Sequence, residues 1–166
     1  MTYLYPFLLE LPKPSQQCCR SKEPLAGLEY HTVLFENPEK EGLLREDYCK
    51  ECWELVKADK QKIVSHWKAR MPHKAVVVKP KSDAGPLLDR LKALLKEPSE
   101  LNQGKAYLLA LFLVRTRKFA TRQEITIQQE KHLIFENLET GETFCMRKMA
   151  AKELEKPELA EALNLI

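Results

Sequence analysis

Apolar positions along this chain follow two rhythms, and the place where one gives way to the other divides it. Residues 29–36 read EYHTVLFE and residues 42–48 read GLLREDY. Both are rich in strand-forming residues, and Asn37-Pro38-Glu39-Lys40 between them supplies a turn, so the pair predicts a β-hairpin. Residues 53–60, WELVKADK, predict a short helix behind it. From Leu87 the spacing becomes helical. Leu87, Leu88, Leu91, Leu94 and Leu95 line one face of a helix predicted over 86–97, with Pro86 at its start and Pro98-Ser99 as its stop. A second helix is predicted over 103–119. Leu108, Leu109, Leu111, Phe112 and Val114 make it apolar on more than one face, which suits a central helix. Residues 125–137 then alternate loosely, Glu139-Thr140-Gly141-Glu142 is a turn, and 143–146 pairs back as a second hairpin. Residues 150–165 have helical character interrupted at Pro157.

The fold class expected is therefore α+β, with three sections. Residues 1–60 form a cysteine-rich hairpin module, opened by an extended arm carrying Pro6, Pro12 and Pro14. Residues 61–86 form a basic, proline-containing connector, with one short strand over 75–78. Residues 87–166 form a helical and β-hairpin unit.

Composition changes this picture little. Of 166 residues, 44% are hydrophobic and 31% charged, which supports a buried core and excludes general disorder. The 27 Lys and Arg nearly balance the 24 Asp and Glu, so net charge gives no mandate for nucleic acid. The longest apolar run, 106–114, is about half of the ~20 residues that a membrane span requires. Residues 1–11 show neither a basic start nor a small-residue cleavage site, so a cytoplasmic location without membrane attachment is expected.

The cysteines carry the chemistry. Cys18, Cys19, Cys49 and Cys52 fall in the first third and Cys145 lies apart in a predicted strand, where it is expected in the core. An odd count in a reducing compartment argues against a disulfide framework. Cys49-Lys50-Glu51-Cys52 is a C-x-x-C knuckle entering a helix, whose positive end favours thiolate over thiol. Two intervening residues let both sulfurs face one tetrahedral ion, and zinc is the ion such soft ligands select. A structural zinc site is thus expected, with Cys49 and Cys52 joined by Cys18 or Cys19 and by His31 as the candidate fourth ligand. A cysteine-bearing turn, a hairpin, then C-x-x-C entering a helix resembles the treble-clef finger. The first knuckle departs from that pattern, since Cys18 and Cys19 are adjacent. The competing readings are a redox pair, which would want a βαβ context, and two plainly buried cysteines.

Other residues invite weaker readings. His66-Trp67 with Lys68 and Arg70 combines a stacking surface with phosphate partners. The simpler expectation is that Trp53 and Trp67 cover the core of the cysteine module. Arg115, Arg117 and Lys118 suit the negative end of a helix dipole, and the run they form with Arg122 is most simply a solvated helix end, with phosphate binding as the alternative. The sequence contains none of the common nucleotide-binding, hydrolase or metalloprotease motifs.

The segments Arg45-Glu46-Asp47-Tyr48-Cys49-Lys50-Glu51-Cys52-Trp53 and His66-Trp67-Lys68-Ala69-Arg70-Met71-Pro72 resemble a set of uncharacterised bacterial proteins that share R-x-D-Y, C-x-x-C-W and W-K-x-R-x-P segments. The resemblance implies the architecture and no activity. The function expected is a non-enzymatic binding or adaptor module whose partner is another protein. The alternatives are a nucleic-acid-associated zinc protein, contacting its ligand through Lys68, Arg70, Lys74, Arg115 and Arg117, and an enzyme using Cys49 or the metal.

Overall fold

Every residue of the segment Thr143–Arg147 is buried, which a strand achieves only when both its faces are covered. In the computed structural model, which describes residues 7–9, 11–39, 42–57, 63–71, 84–97 and 99–159, that strand lies in the middle layer of three. The elements run β1 (Leu8–Leu9), β2 (Glu29–Glu36), β3 (Leu43–Cys49), α1 (Lys50–Val56), β4 (Ile63–Arg70), α2 (Ala84–Lys96), α3 (Glu100–Arg115), β5 (Phe119–Ile127), β6 (Glu130–Asn137), β7 (Thr143–Arg147) and α4 (Ala151–Leu154). The chain is α+β. Its named strands pair antiparallel, in a three-stranded sheet ordered β3-β2-β4 and a four-stranded sheet ordered β1-β7-β6-β5.

Strand alternation sorts the four-stranded sheet between two cores. Leu9, Ile125, Ile127, Ile134 and Cys145 pack with the three-stranded sheet, around Tyr30, Val33, Leu34, Trp53 and Trp67. Phe7, Phe119, Phe135, Phe144 and Met146 point the other way and pack with Leu91 of α2 and with Ala106, Tyr107, Leu109, Ala110 and Leu113 of α3. The layers are therefore sheet, sheet and helices. Cys145 is fully buried in the first core, as expected, and burial pushes its thiol up to about 12. Trp53 and Trp67 are likewise buried there.

Four differences from the sequence expectations have physical causes. Residues 63–70, read as connector, are strand β4, paired along β2 from Glu29↔Arg70 to Phe35↔Ile63. Ser65, Trp67 and Ala69 face inward while Lys68 and Arg70 are exposed, a period of two that the basic residues obscured. The central helix ends at Arg115 rather than at residue 119, because Phe119 already opens β5. The second hairpin is a three-stranded meander. The β5–β6 turn falls on Gln128 and Gln129, both with positive φ (45° and 70°), and lacks the Asn-Gly signature such turns usually advertise. Finally, part of the N-terminal arm becomes β1, pairing Leu8↔Met146 and Leu9↔Cys145. The β6–β7 turn falls where Gly141 adopts φ 73°. Ser99 caps α3, its side chain accepting from the Asn102 amide. The strand expected over 75–78 lies outside the described residues, as does Lys74. None of the described helices is long and apolar enough to cross a membrane.

Candidate metal centre

Cys49 is the last residue of β3, paired with Tyr30, and it stands at the N-cap of α1. A strand handing over to a helix fixes its backbone, and Cys52 follows in the first turn of α1, where its side chain is buried. The third thiol, Cys18, comes from a loop 31 residues before Cys49. That loop closes on itself through Cys18 N–H to the Glu23 carbonyl (2.9 Å) and Leu25 N–H to the Gln16 carbonyl (3.0 Å). It is fastened to β3 by Cys19 N–H donating to the Asp47 carbonyl (2.8 Å) and by Ser15 N–H donating to Asp47 Oδ2 (2.7 Å). The result brings the sulfurs of Cys18, Cys49 and Cys52 within 4.8 Å of one another, an arrangement that could hold a metal ion.

The turn at Cys18 is tight. Lys22 N–H donates to the Cys18 carbonyl (3.0 Å), Lys22 takes φ 63°, and Ser21 N–H points to Cys18 Sγ at 3.5 Å. Burial opposes ionisation of Cys18. Hydrogen bonds from the Ser21 side chain and from the Ser21, Cys49 and Arg20 backbone outweigh it and bring the thiol down to about 6. Burial raises Cys52, and its hydrogen bonds to Cys49 and Cys18 raise it further. A lowered Cys18 thiol beside a raised Cys52 thiol suits the site to a cation, which binds thiolate and displaces the remaining protons.

Of the five ligands expected from sequence, Cys18, Cys49 and Cys52 meet, while Cys19 and His31 stand outside the group. Burial raises the Cys19 thiol above its ordinary value, with the nearby Asp47 and Glu46 carboxylates acting in the same direction. His31 is 4% exposed and occupied elsewhere, since its Nδ1 lies 2.8 Å from His66 Nε2. The two imidazoles are nearly coplanar (5°), and the Trp53 indole stacks over them at centroid distances of 5.4 Å from His31 and 4.2 Å from His66. Sequence reading separated these three residues; β4 joining β2 and α1 folding over β2 bring them together.

That histidine pair predicts a pH dependence. Burial lowers both rings below the ordinary 6.5. Each is lowered further by Lys68, and His31 also by His66, with Glu29 and Glu54 opposing at His31. One proton suffices between facing nitrogens, whereas two protonated rings would set donor against donor. The unfolded chain therefore binds more protons just below pH 6.5, so the stability the pair contributes is complete above that value and is lost as pH falls through the lowered folded values. Urea unfolding measured from about pH 7 to about pH 5 is expected to show this loss, reduced in His66→Gln. Equal pH slopes in the two proteins would refute the assignment.

The basic residues singled out from sequence sit apart from the thiols along the chain. Lys68 and Arg70 are exposed on β4, Lys68 pairing with Glu29 at 3.3 Å, and Arg115 and Arg117 are exposed at and just beyond the end of α3. Sequence reading passed over Ser21, although Cys18-x-x-Ser21 repeats the spacing of Cys49-x-x-Cys52. It also passed over Arg45 and Asp47, a buried ion pair at 3.1 Å. No family model, no curated protein and no solved structure matches the chain. The likeness carried by the Arg45–Trp53 and His66–Pro72 segments rests on those segments alone.

Proposed function

We propose that the protein holds one zinc ion through Cys18, Cys49 and Cys52 as a structural staple, in a treble-clef-like module that serves a non-enzymatic binding or adaptor role. The observation that carries this is the convergence of three thiols from a loop, a strand end and a helix start. Zinc bonded to sulfur at about 2.3 Å sets tetrahedral sulfurs about 3.8 Å apart, within the spread seen here. The order of turn, hairpin and helix supports the treble-clef likeness. The position of the three thiols supports a staple. The loop over 15–25 has few apolar anchors of its own, chiefly Leu25 beside Cys18, and a metal would tie it to β3 and α1. For a protein partner, the module offers β3 at an edge of its sheet, with Leu44 exposed on it and Leu55 exposed on α1.

Elemental analysis of protein purified under reducing conditions tests the staple. About one zinc per chain is expected in the wild type and in Cys19→Ser. Cys18→Ser, Cys49→Ser and Cys52→Ser are expected to lose the ion, and to lose thermal stability with it. Well-folded wild-type protein without metal would sink the proposal.

A further inference from the structure

We infer that the fourth corner of this metal site is the Ser21 corner, and that it is exchangeable: the bound ion accepts an external soft donor, a thiolate or an imidazole, beside the Ser21 hydroxyl. This rests on the three-thiolate zinc site proposed above.

Cys18 and Ser21 have the same spacing as Cys49 and Cys52, so Ser21 stands where a second cysteine of the first knuckle would stand. The geometry agrees. The Ser21 amide points to Cys18 Sγ at 3.5 Å, and its hydroxyl oxygen lies 4.0 Å from Cys49 Sγ. Ser21 thus approaches two of the three thiols, its backbone amide at Cys18 and its hydroxyl at Cys49, which places it at the open side of the group. Its chemistry differs. A neutral hydroxyl is a hard, weak donor beside three thiolates, and zinc prefers sulfur or imidazole to it. The two other donors expected at this corner are committed: His31 Nδ1 faces His66, and Cys19 stands outside the thiol group.

Access separates this corner from the rest of the site. Cys18 and Cys52 are buried and Cys49 is half-buried, whereas Ser21 is exposed. A ligand from solution or from a partner protein therefore reaches the ion on the Ser21 side without disturbing the core. Glu23 is a local competitor, its Oε2 lying 3.4 Å from Ser21 Oγ. A site with three fixed ligands and one replaceable corner is open. It gives the module a means of engaging a cysteine or histidine of another protein through the ion.

Cobalt(II) loaded into the full chain in place of zinc reports thiolate ligation and geometry through its visible absorbance. Titration with imidazole, and separately with β-mercaptoethanol, is expected to shift the wild-type bands saturably. Ser21→Ala should respond in the same way. Ser21→Cys should show a four-thiolate spectrum and lose both responses. A wild-type spectrum that is sensitive to Cys18→Ser, Cys49→Ser and Cys52→Ser but indifferent to both donors would overturn the exchangeable corner while leaving the staple standing. A response that appears only in Glu23→Gln would place the carboxylate in the corner and overturn it too. Failure to bind cobalt at all would remove the metal site itself, and this inference with it.

Discussion

Asp47→Ala is expected to cost the protein about 3–5 kcal/mol, because it strands a buried cation. The Arg45 and Asp47 side chains are each 1% exposed, and Arg45 Nε lies 3.1 Å and 3.2 Å from the two carboxylate oxygens. Thr32 Oγ1 donates to Oδ1 at 2.6 Å and the Ser15 amide to Oδ2 at 2.7 Å. The guanidinium also donates to Thr143 Oγ1 (3.2 Å), Thr32 Oγ1 (3.2 Å) and the Tyr30 hydroxyl (3.5 Å), and lies 6.0 Å from the Trp67 ring centroid. Without the carboxylate, its partners among the described residues are neutral hydroxyls and a ring face, and the Ser15 amide loses its acceptor.

Against a typical stability of roughly 5–15 kcal/mol, the loss would be plain in the urea midpoint. The double variant Arg45→Met, Asp47→Leu is the control. Replacing both partners with apolar side chains removes the desolvation penalty along with the attraction, so it is expected to cost far less than Asp47→Ala alone. An Asp47→Ala protein within about 1 kcal/mol of wild type would show that the pair contributes no such stability. The same substitution bears on function. The Asp47 carboxylate ties Ser15 to the strand that carries Cys49, so Asp47→Ala, which keeps the backbone bond from Cys19, should loosen the loop at Ser15 and weaken metal retention.

Phe135→Ala is expected to be comparably severe, about 3–5 kcal/mol, for a different reason. Phe135 is fully buried on the helix-facing side of the four-stranded sheet and meets Tyr107 of α3 edge-on, ring centroids 6.0 Å apart at 83°. Removing it opens a cavity between β6 and α3 that Leu113 and Phe144 in the same cluster cannot fill without leaving their own contacts. Metal retention should change little, because Phe135 and the thiols belong to cores on opposite faces of that sheet. Thermal unfolding combined with zinc analysis checks both points. A loss of zinc in a still-folded Phe135→Ala protein would contradict the separation of the two cores.

Much of the local structure was legible because it is written in periodicity. The first hairpin is visible in the run EYHTVLFE, and α2 in the leucine spacing from Leu87 to Leu95. The Cys49-x-x-Cys52 knuckle announced two of the three thiols that meet, because the spacing lets both sulfurs face one side. Strand β4 was obscured by basic residues on its outward face. The β5–β6 turn was obscured because glutamine, unlike glycine, does not betray a positive φ.

The sequence by itself determined element types wherever a side-chain pattern repeats, and it determined the half of the site that lies within one turn of backbone. Only the tertiary structure decided which of Cys18, Cys19 and His31 would join that half. The choice depends on contacts between segments far apart in the chain. Cys19 N–H is held by the Asp47 carbonyl, the Cys18 sulfur is received by the Ser21 amide, and the His31 ring is taken by His66 from a strand 35 residues away. Adjacent cysteines look equivalent in a sequence. They become different residues when one backbone hydrogen bond to β3 fixes the loop, bringing the first sulfur within 4.8 Å of Cys49 and Cys52 and leaving the second outside their group.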